Sequence, residues 1–134
     1  MITTDSAIPL GWGMVPYERF DAWKMTHQLA LQVYKVTESW PLSERYGLTI
    51  QIRRAALSAP TNIAEGSAKR GAREFRRYLD IALGSLSEVS YLLRFTRDRG
   101  ILSDVDFKTL DDLRDQAGKL TWRFYSSLGK SVAP

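Results

Sequence analysis

The sequence predicts an all-α fold, an antiparallel up-and-down four-helix bundle, and three observations carry that expectation. Apolar residues recur at spacings of three and four in four separate stretches, the repeat of one helix face. No stretch alternates apolar and polar side chains with the period of two that a strand requires. The breaks between stretches are short, at Trp40-Pro41, Gly66 to Gly71 and Gly100, and short connections make successive helices antiparallel.

Length and composition set the bounds. The 134 residues make one domain, long enough to bury a core. Residues 1–18 read as an irregular arm, 19–128 as the bundle and 129–134 as a short tail. The absence of cysteine excludes disulfides and thiolate metal sites. His27 is the single histidine and has no acidic partner at helical spacing, so it reads as a surface or boundary residue. No metal or other cofactor is expected. No apolar run approaches the roughly 18 residues of a membrane span. The N-terminus lacks a basic segment followed by an apolar one, so a cytoplasmic protein is expected.

In chain order, the arm contains Pro9, Gly11, Gly13 and Pro16, which oppose regular structure. Ile8, Leu10, Trp12, Met14 and Val15 are too apolar for a solvated tail. The arm therefore docks on the domain or on a neighbouring subunit, or is in part an expression artefact. The first helix spans about Phe20 to Ser39, with Trp23, Ala30, Val33, Tyr34 and Thr37 at helical spacing. Trp40-Pro41 ends it, because the residue before proline is pushed out of the α region. Ser43 is the expected N-cap of the second helix, with Glu44 suited to the positive helix end. That helix reaches about Ala64 or beyond along Leu48, Ile52, Ala55, Ala59 and Ile63. Pro60 cannot donate to the carbonyl of Ala56, so a kink is expected there.

The third helix spans about Ala72 to Arg99 along Phe75, Leu79, Ala82, Leu86, Val89 and Leu93. Ile81, Leu83, Tyr91, Leu92 and Phe95 widen its apolar surface beyond one seam, which predicts self-association. Gly84 sits mid-helix, where glycine costs about 1 kcal/mol relative to alanine, and suggests close approach of another backbone. Gly100 is the expected stop. Ser103 or Asp104 caps the fourth helix, which reaches about Leu128 along Phe107, Leu110, Leu113, Ala117, Leu120 and Phe124. The aromatics Trp23, Tyr34, Trp40, Tyr46, Tyr78, Trp122 and Phe124 are assigned to core packing rather than base stacking.

Charge is concentrated rather than spread. Residues 53 to 77 hold seven basic and two acidic side chains, a surplus of +5 against +4 for the whole chain. Its densest part is Lys69, Arg70, Arg73, Arg76 and Arg77, relieved by Glu74. Cations in the first turns of a helix oppose its macrodipole, so Arg73, Arg76 and Arg77 stand where acids would be cheaper. A local positive field there points to an anionic partner, with an RNA or DNA backbone favoured. An interface with the acidic start of a neighbour's fourth helix (Asp104, Asp106, Asp111, Asp112, Asp115) and plain solubility are the alternatives. No signature of a base-reading module is present.

A polar stripe runs beside the apolar one on the second helix: Gln51, Arg54, Ser58, Asn62 and Glu65, spaced three or four apart. Ser85 and Glu88 share a flank of the third helix. Antiparallel packing would bring Asn62 and Glu65 toward Ser85 and Glu88, with Arg54 as counter-charge. The favoured reading is a network that fixes register between helices or subunits. A ligand contact comes second, and catalysis by a Glu65–Glu88 pair last.

Taken together, Tyr34, Trp40-Pro41, Glu44, Gly47-Leu48, Gln51, Arg54-Ala55, Ser58, the Asn62-Ile63-Ala64-Glu65-Gly66 box, Arg70, Phe75, Leu79, Ala82, Gly84-Ser85 and Glu88 make a distinctive pattern. It resembles the four-helix-bundle family of proteins from intervening sequences of bacterial 23S ribosomal RNA genes, over about residues 18 to 128. The accessory variability determinant of diversity-generating retroelements is a similar bundle without this box. The resemblance implies a homopentameric ring or barrel, no established catalytic residue, and nucleic-acid association. Two features depart from the family pattern: the arm is longer, and Trp40 stands where phenylalanine is usual. The expected function is a non-enzymatic, homo-oligomeric bundle binding RNA or DNA through the basic patch at the helix 2–3 turn. The alternative is an interaction scaffold or mobile-element accessory protein, docking an acidic or reverse-transcriptase-like partner. No small-molecule substrate or membrane partner is expected.

Overall fold

The structure, a computed structural model, describes residues 15–132, with side chains through Gly129. The apolar arm residues Ile8, Leu10, Trp12 and Met14 lie outside the described residues. Four helices follow: α1 (Asp21–Thr37), α2 (Leu48–Ser67), α3 (Ala72–Asp98) and α4 (Asp104–Val132), with 3-10 turns at Pro16–Arg19 and Leu42–Glu44. Each helix packs on its neighbours in sequence, and α1 closes against α4. Along the α1–α3 and α2–α4 diagonals the backbones do not approach closely among the described residues, which is the up-and-down bundle that the short connections predict.

The caps explain most helix ends. Gly100 has φ +78°, a conformation that side chains resist. Its N–H donates to the Arg97 carbonyl at 2.9 Å, and the Ile101 N–H to the Thr96 carbonyl at 2.9 Å. These two bonds form a Schellman stop. Ser103 then caps α4, accepting from the Asp106 N–H at 3.1 Å. Trp40 is buried behind α1, and the chain turns at Pro41.

The start of α2 departs from expectation. Ser43 caps nothing; it lies in the Leu42–Glu44 turn, and the helix begins five residues later, at Leu48. The turn is closed by the Glu44 N–H to the Pro41 carbonyl at 2.9 Å and the Arg45 N–H to the Leu42 carbonyl at 3.1 Å. Gly47, at φ −115° and ψ −107°, redirects the chain into the helix. The helix then runs unbroken through the buried Pro60 and through Gly66 to Ser67. At the other end of the chain α4 extends past Leu128 to Val132.

The core is built mainly from the expected seams: Ala30 and Val33 from α1, Ile52 and Ile63 from α2, Leu79, Val89 and Leu93 from α3, Leu110 and Ala117 from α4. Leu29, outside the expected seam of α1, is fully buried with them. Each large aliphatic side chain so buried contributes about 1.5–3 kcal/mol. Leu92, counted with the surplus of α3, is buried in this core. Five threonines, Thr49 and four others, are buried with the aliphatics. Thr26, Thr37, Thr96 and Thr121 each donate a hydroxyl to the carbonyl four residues back, at 2.7–2.9 Å. That bond removes the penalty of burying a hydroxyl. At one end, Phe20, Phe75 and Phe124 form a triangle with centroids 4.7–5.6 Å apart. This end gathers the start of α1, the α2–α3 turn and the last turns of α4, and it carries the basic cluster.

Candidate nucleic-acid interface

Gly66 sets the geometry of the α2–α3 corner. A Cβ there would stand 2.7 Å from Tyr78 Cβ and 2.8 Å from Phe75 Cδ1, so only glycine lets the two helices approach this closely. Gly71, at φ +85°, then starts α3. The tight corner pushes Lys69 and Arg70 out to solvent beside the first turns of α3, where Arg73 is also exposed.

The five cations have different neighbours. Arg77 is neutralised: its Nη2 lies 2.8 Å from Glu74 Oε1 and its Nε 3.1 Å. The hydrogen bond, with charge attraction, holds the Glu74 carboxyl below its ordinary range and pushes the Arg77 guanidinium up. Lys69 lies 5.5 Å from the centre of the Tyr78 ring, and Arg77 4.7 Å from the same ring. Arg76 is half-buried over Tyr125, its guanidinium carbon 4.0 Å from the ring centre, and its Nε donates to the Tyr125 carbonyl at 3.4 Å. Gly129 makes room for it, since a Cβ there would lie 3.1 Å from Arg76 Nη2. Among the described residues, Lys69, Arg70, Arg73 and Arg76 have no carboxylate ion-pair partner, and Arg77 alone has one.

This arrangement refines the electrostatic reading. Lys69 and Arg70 follow the C-terminus of α2, where cations are favoured. Glu74 offsets the cost of Arg77 in the first turns of α3. Arg73 retains the unfavourable placement with no neighbour that compensates it. The acidic half of α4 is largely self-neutralised, with Asp111 on Arg114 at 2.7 Å, Asp112 on Lys108 at 3.3 Å and Asp115 on Lys119 at 2.9 Å. The Lys119 hydrogen bond also holds the Asp115 carboxyl below its ordinary range. Asp104 and Asp106, at the start of α4, form no ion pair among the described residues and remain available to a neighbour's arginines.

The polar stripe is brought together only in part. Ser85 Oγ lies 2.8 Å from Ser58 Oγ, joining α3 to α2, and Asn62 Nδ2 donates to the same Ser58 hydroxyl at 3.0 Å and to the Ser58 carbonyl at 2.8 Å. An open groove of about 550 Å³ beside them is lined by Gln51, Arg54, Ser58, Ser85 and Glu88. Glu65 is not there. With Ser58 opposite Ser85 in antiparallel helices, Glu65 and Glu88 lie ten residues apart along the axis, about 15 Å. The Glu65–Glu88 pair is therefore not formed, and the approach of Glu65 to Glu88 is corrected by the register. Among the described residues, Gln51, Arg54, Glu65 and Glu88 have no side-chain partner, and no group of three acidic or histidine side chains is arranged to hold a metal ion.

Two further expectations are corrected. Gly84 meets no backbone within the chain; a Cβ there would touch nothing within 4 Å. The close approach lies at Gly66 instead. Not all of the aromatics assigned to the core are buried: Tyr34 is partly exposed, Tyr46 is 84% exposed and Trp122 57%. Trp122 was legible as an outsider. It falls between Leu120 and Phe124, off the seam spacing of α4. His27 stacks on Trp23 at 4.8 Å as a boundary residue.

These features define a helical bundle with one cationic end and one polar groove, and the chain belongs to the family of 23S rRNA-intervening sequence proteins, whose model matches residues 18–123. Its fold is similar to that of a protein of unknown function from the S23 ribosomal protein family of Bacteroides thetaiotaomicron VPI-5482. The TM-score is 0.70 at 19% identity, covering 78% of this chain and 97% of that one; a likeness at this identity concerns the fold alone. No curated protein matches the chain. Among the described residues no helix is long and apolar enough to cross a membrane.

Proposed function

We propose that this chain is a non-enzymatic bundle that binds RNA or DNA in the cytoplasm, mainly through phosphates, at the α2–α3 corner. The observation that carries the reading is the cluster of Lys69, Arg70, Arg73 and Arg76, held on a rigid corner without a carboxylate partner among the described residues. Backbone binding needs no more than fixed cations at phosphate spacing. The test is electrophoretic-mobility binding to generic RNA at low salt. The wild type should bind, and Arg73→Ala, Arg76→Ala and Arg77→Ala together should weaken binding sharply with helicity unchanged. Absence of wild-type binding, or binding undiminished in the triple variant, overturns the proposal.

The same reading includes a homo-oligomer, and a five-membered ring is what the family pattern implies. Support comes from α3, where Ile81, Gly84, Glu88, Tyr91 and Phe95 form one exposed stripe at spacings of three and four. Glu88 in the stripe and Arg54 across the adjoining groove are charges of opposite sign without intrachain partners among the described residues. An apolar stripe with charges of both signs suits another copy of this chain, and a ring needs that contact to be heterologous, the stripe meeting a different face of its neighbour. A ring would repeat the cationic corner around its axis and strengthen its field without any new residue.

A further inference from the structure

We infer that the polynucleotide bound at this corner is single-stranded, with one base stacked on Trp122 and its phosphate held by Arg73 and Arg76. This rests on the reading above and adds the class of nucleic acid. Trp122 is 57% exposed, although burial of an indole is worth more than that of most side chains. It stacks on Tyr125, with centroids 5.5 Å apart and planes 27° off parallel. Tyr125 in turn lies under Arg76. Indole, phenol and guanidinium thus form one continuous run of flat groups from α4 onto α3.

Beside Tyr125 opens a small cleft of about 240 Å³, lined by Arg73, Arg76, Arg77 and Asp80. Its size suits a phosphate and its hydration rather than a whole nucleotide, so the attached base must lie outside it. The flank of α4 is open for that base: Gly118 stands one turn before Trp122, and a Cβ there would touch nothing within 4 Å. A duplex keeps its base faces stacked on each other and has none to offer an indole, whereas a single strand does. Asp80 is the one acid lining the cleft and opposes an anion there.

The experiment compares a short oligouridine with an RNA duplex, by fluorescence anisotropy of labelled probes on the full chain. Trp122→Ala should weaken oligouridine binding about ten-fold, the range of one lost base stack, and leave duplex binding unchanged. Trp122→Phe should retain most of the affinity, and Asp80→Asn should tighten binding to the single strand. Circular dichroism and solution mass of each variant should match the wild type. If Trp122→Ala binds oligouridine as the wild type does while the triple arginine variant fails, the stacking inference is overturned and the phosphate reading stands. If the wild type binds neither probe, both fall. A fall in solution mass for Trp122→Ala assigns the indole to a protein contact and also overturns the inference.

Discussion

Single residues decide the geometry of the cationic corner. Gly66 is the tightest constraint, because the space for its Cβ is already filled by Tyr78 and Phe75. Gly66→Ala should cost about 1–3 kcal/mol, the usual range for overpacking, and lower the midpoint of thermal unfolding. An unchanged midpoint would show that the corner relaxes freely. Glu74 controls how many cations are available. Its folded-state carboxyl is held low by Arg77, so its small stabilising contribution is present above the ordinary glutamate range and is lost as pH falls through the depressed value. Glu74→Gln releases Arg77 at all pH values. It should tighten RNA binding and steepen the salt dependence by about 0.7 unit of slope for a single strand. Weaker binding by this variant would mean that the orientation of Arg77, fixed by Glu74, matters more than its charge. At this scale the sequence was readable in part. The five cations are visible as a run, but which one is neutralised depends on rotamers that spacing does not determine.

At the scale of elements, the helices and their seams were legible because each seam repeats at three and four residues over several turns. The misjudged boundary, at the start of α2, lay where two signals competed. Ser43-Glu44 looks like a cap, but Gly47 breaks the backbone four residues later and the helix starts after it. Of the buried threonines Thr37 lay on an expected seam; Thr26, Thr96 and Thr121 were not legible as core, since a hydroxyl satisfied by the carbonyl four residues back has no sequence mark. The exposed stripe on α3 was legible as a surplus, although Leu92 proved to be core. Gly84 is its most informative member, with open space where a neighbouring backbone was expected. Gly84→Arg should leave the single chain folded, or stabilise its helix by up to about 1 kcal/mol. If the stripe is a self-interface, the same change should reduce the solution mass measured by light scattering. An unchanged mass places the contact between copies on another surface.

For the whole molecule, topology gathers what the sequence separates. Arg73 and Arg76 open α3 while Tyr125 and Trp122 lie near the end of α4, some fifty residues on, yet antiparallel packing places Tyr125 under Arg76. The cationic run was readable from composition; its aromatic neighbour was not, because it follows from helix register across the bundle. The polar groove behaves in the opposite way. Its residues were visible as a stripe, but the register separates Glu65 from Glu88, so the two carboxylates do not pair. The central claim is that unpaired cations on a rigid corner neutralise phosphates. It is tested most directly by the slope of log affinity against log salt for single-stranded RNA, measured for the wild type and for the Arg73, Arg76 and Arg77 triple alanine variant. Each phosphate neutralised contributes about −0.7 to that slope, so contacts from Lys69, Arg70, Arg73 and Arg76 predict about −3 per chain, falling to about −1 in the variant. A wild-type slope near zero, or one the variant leaves unchanged, would contradict the account.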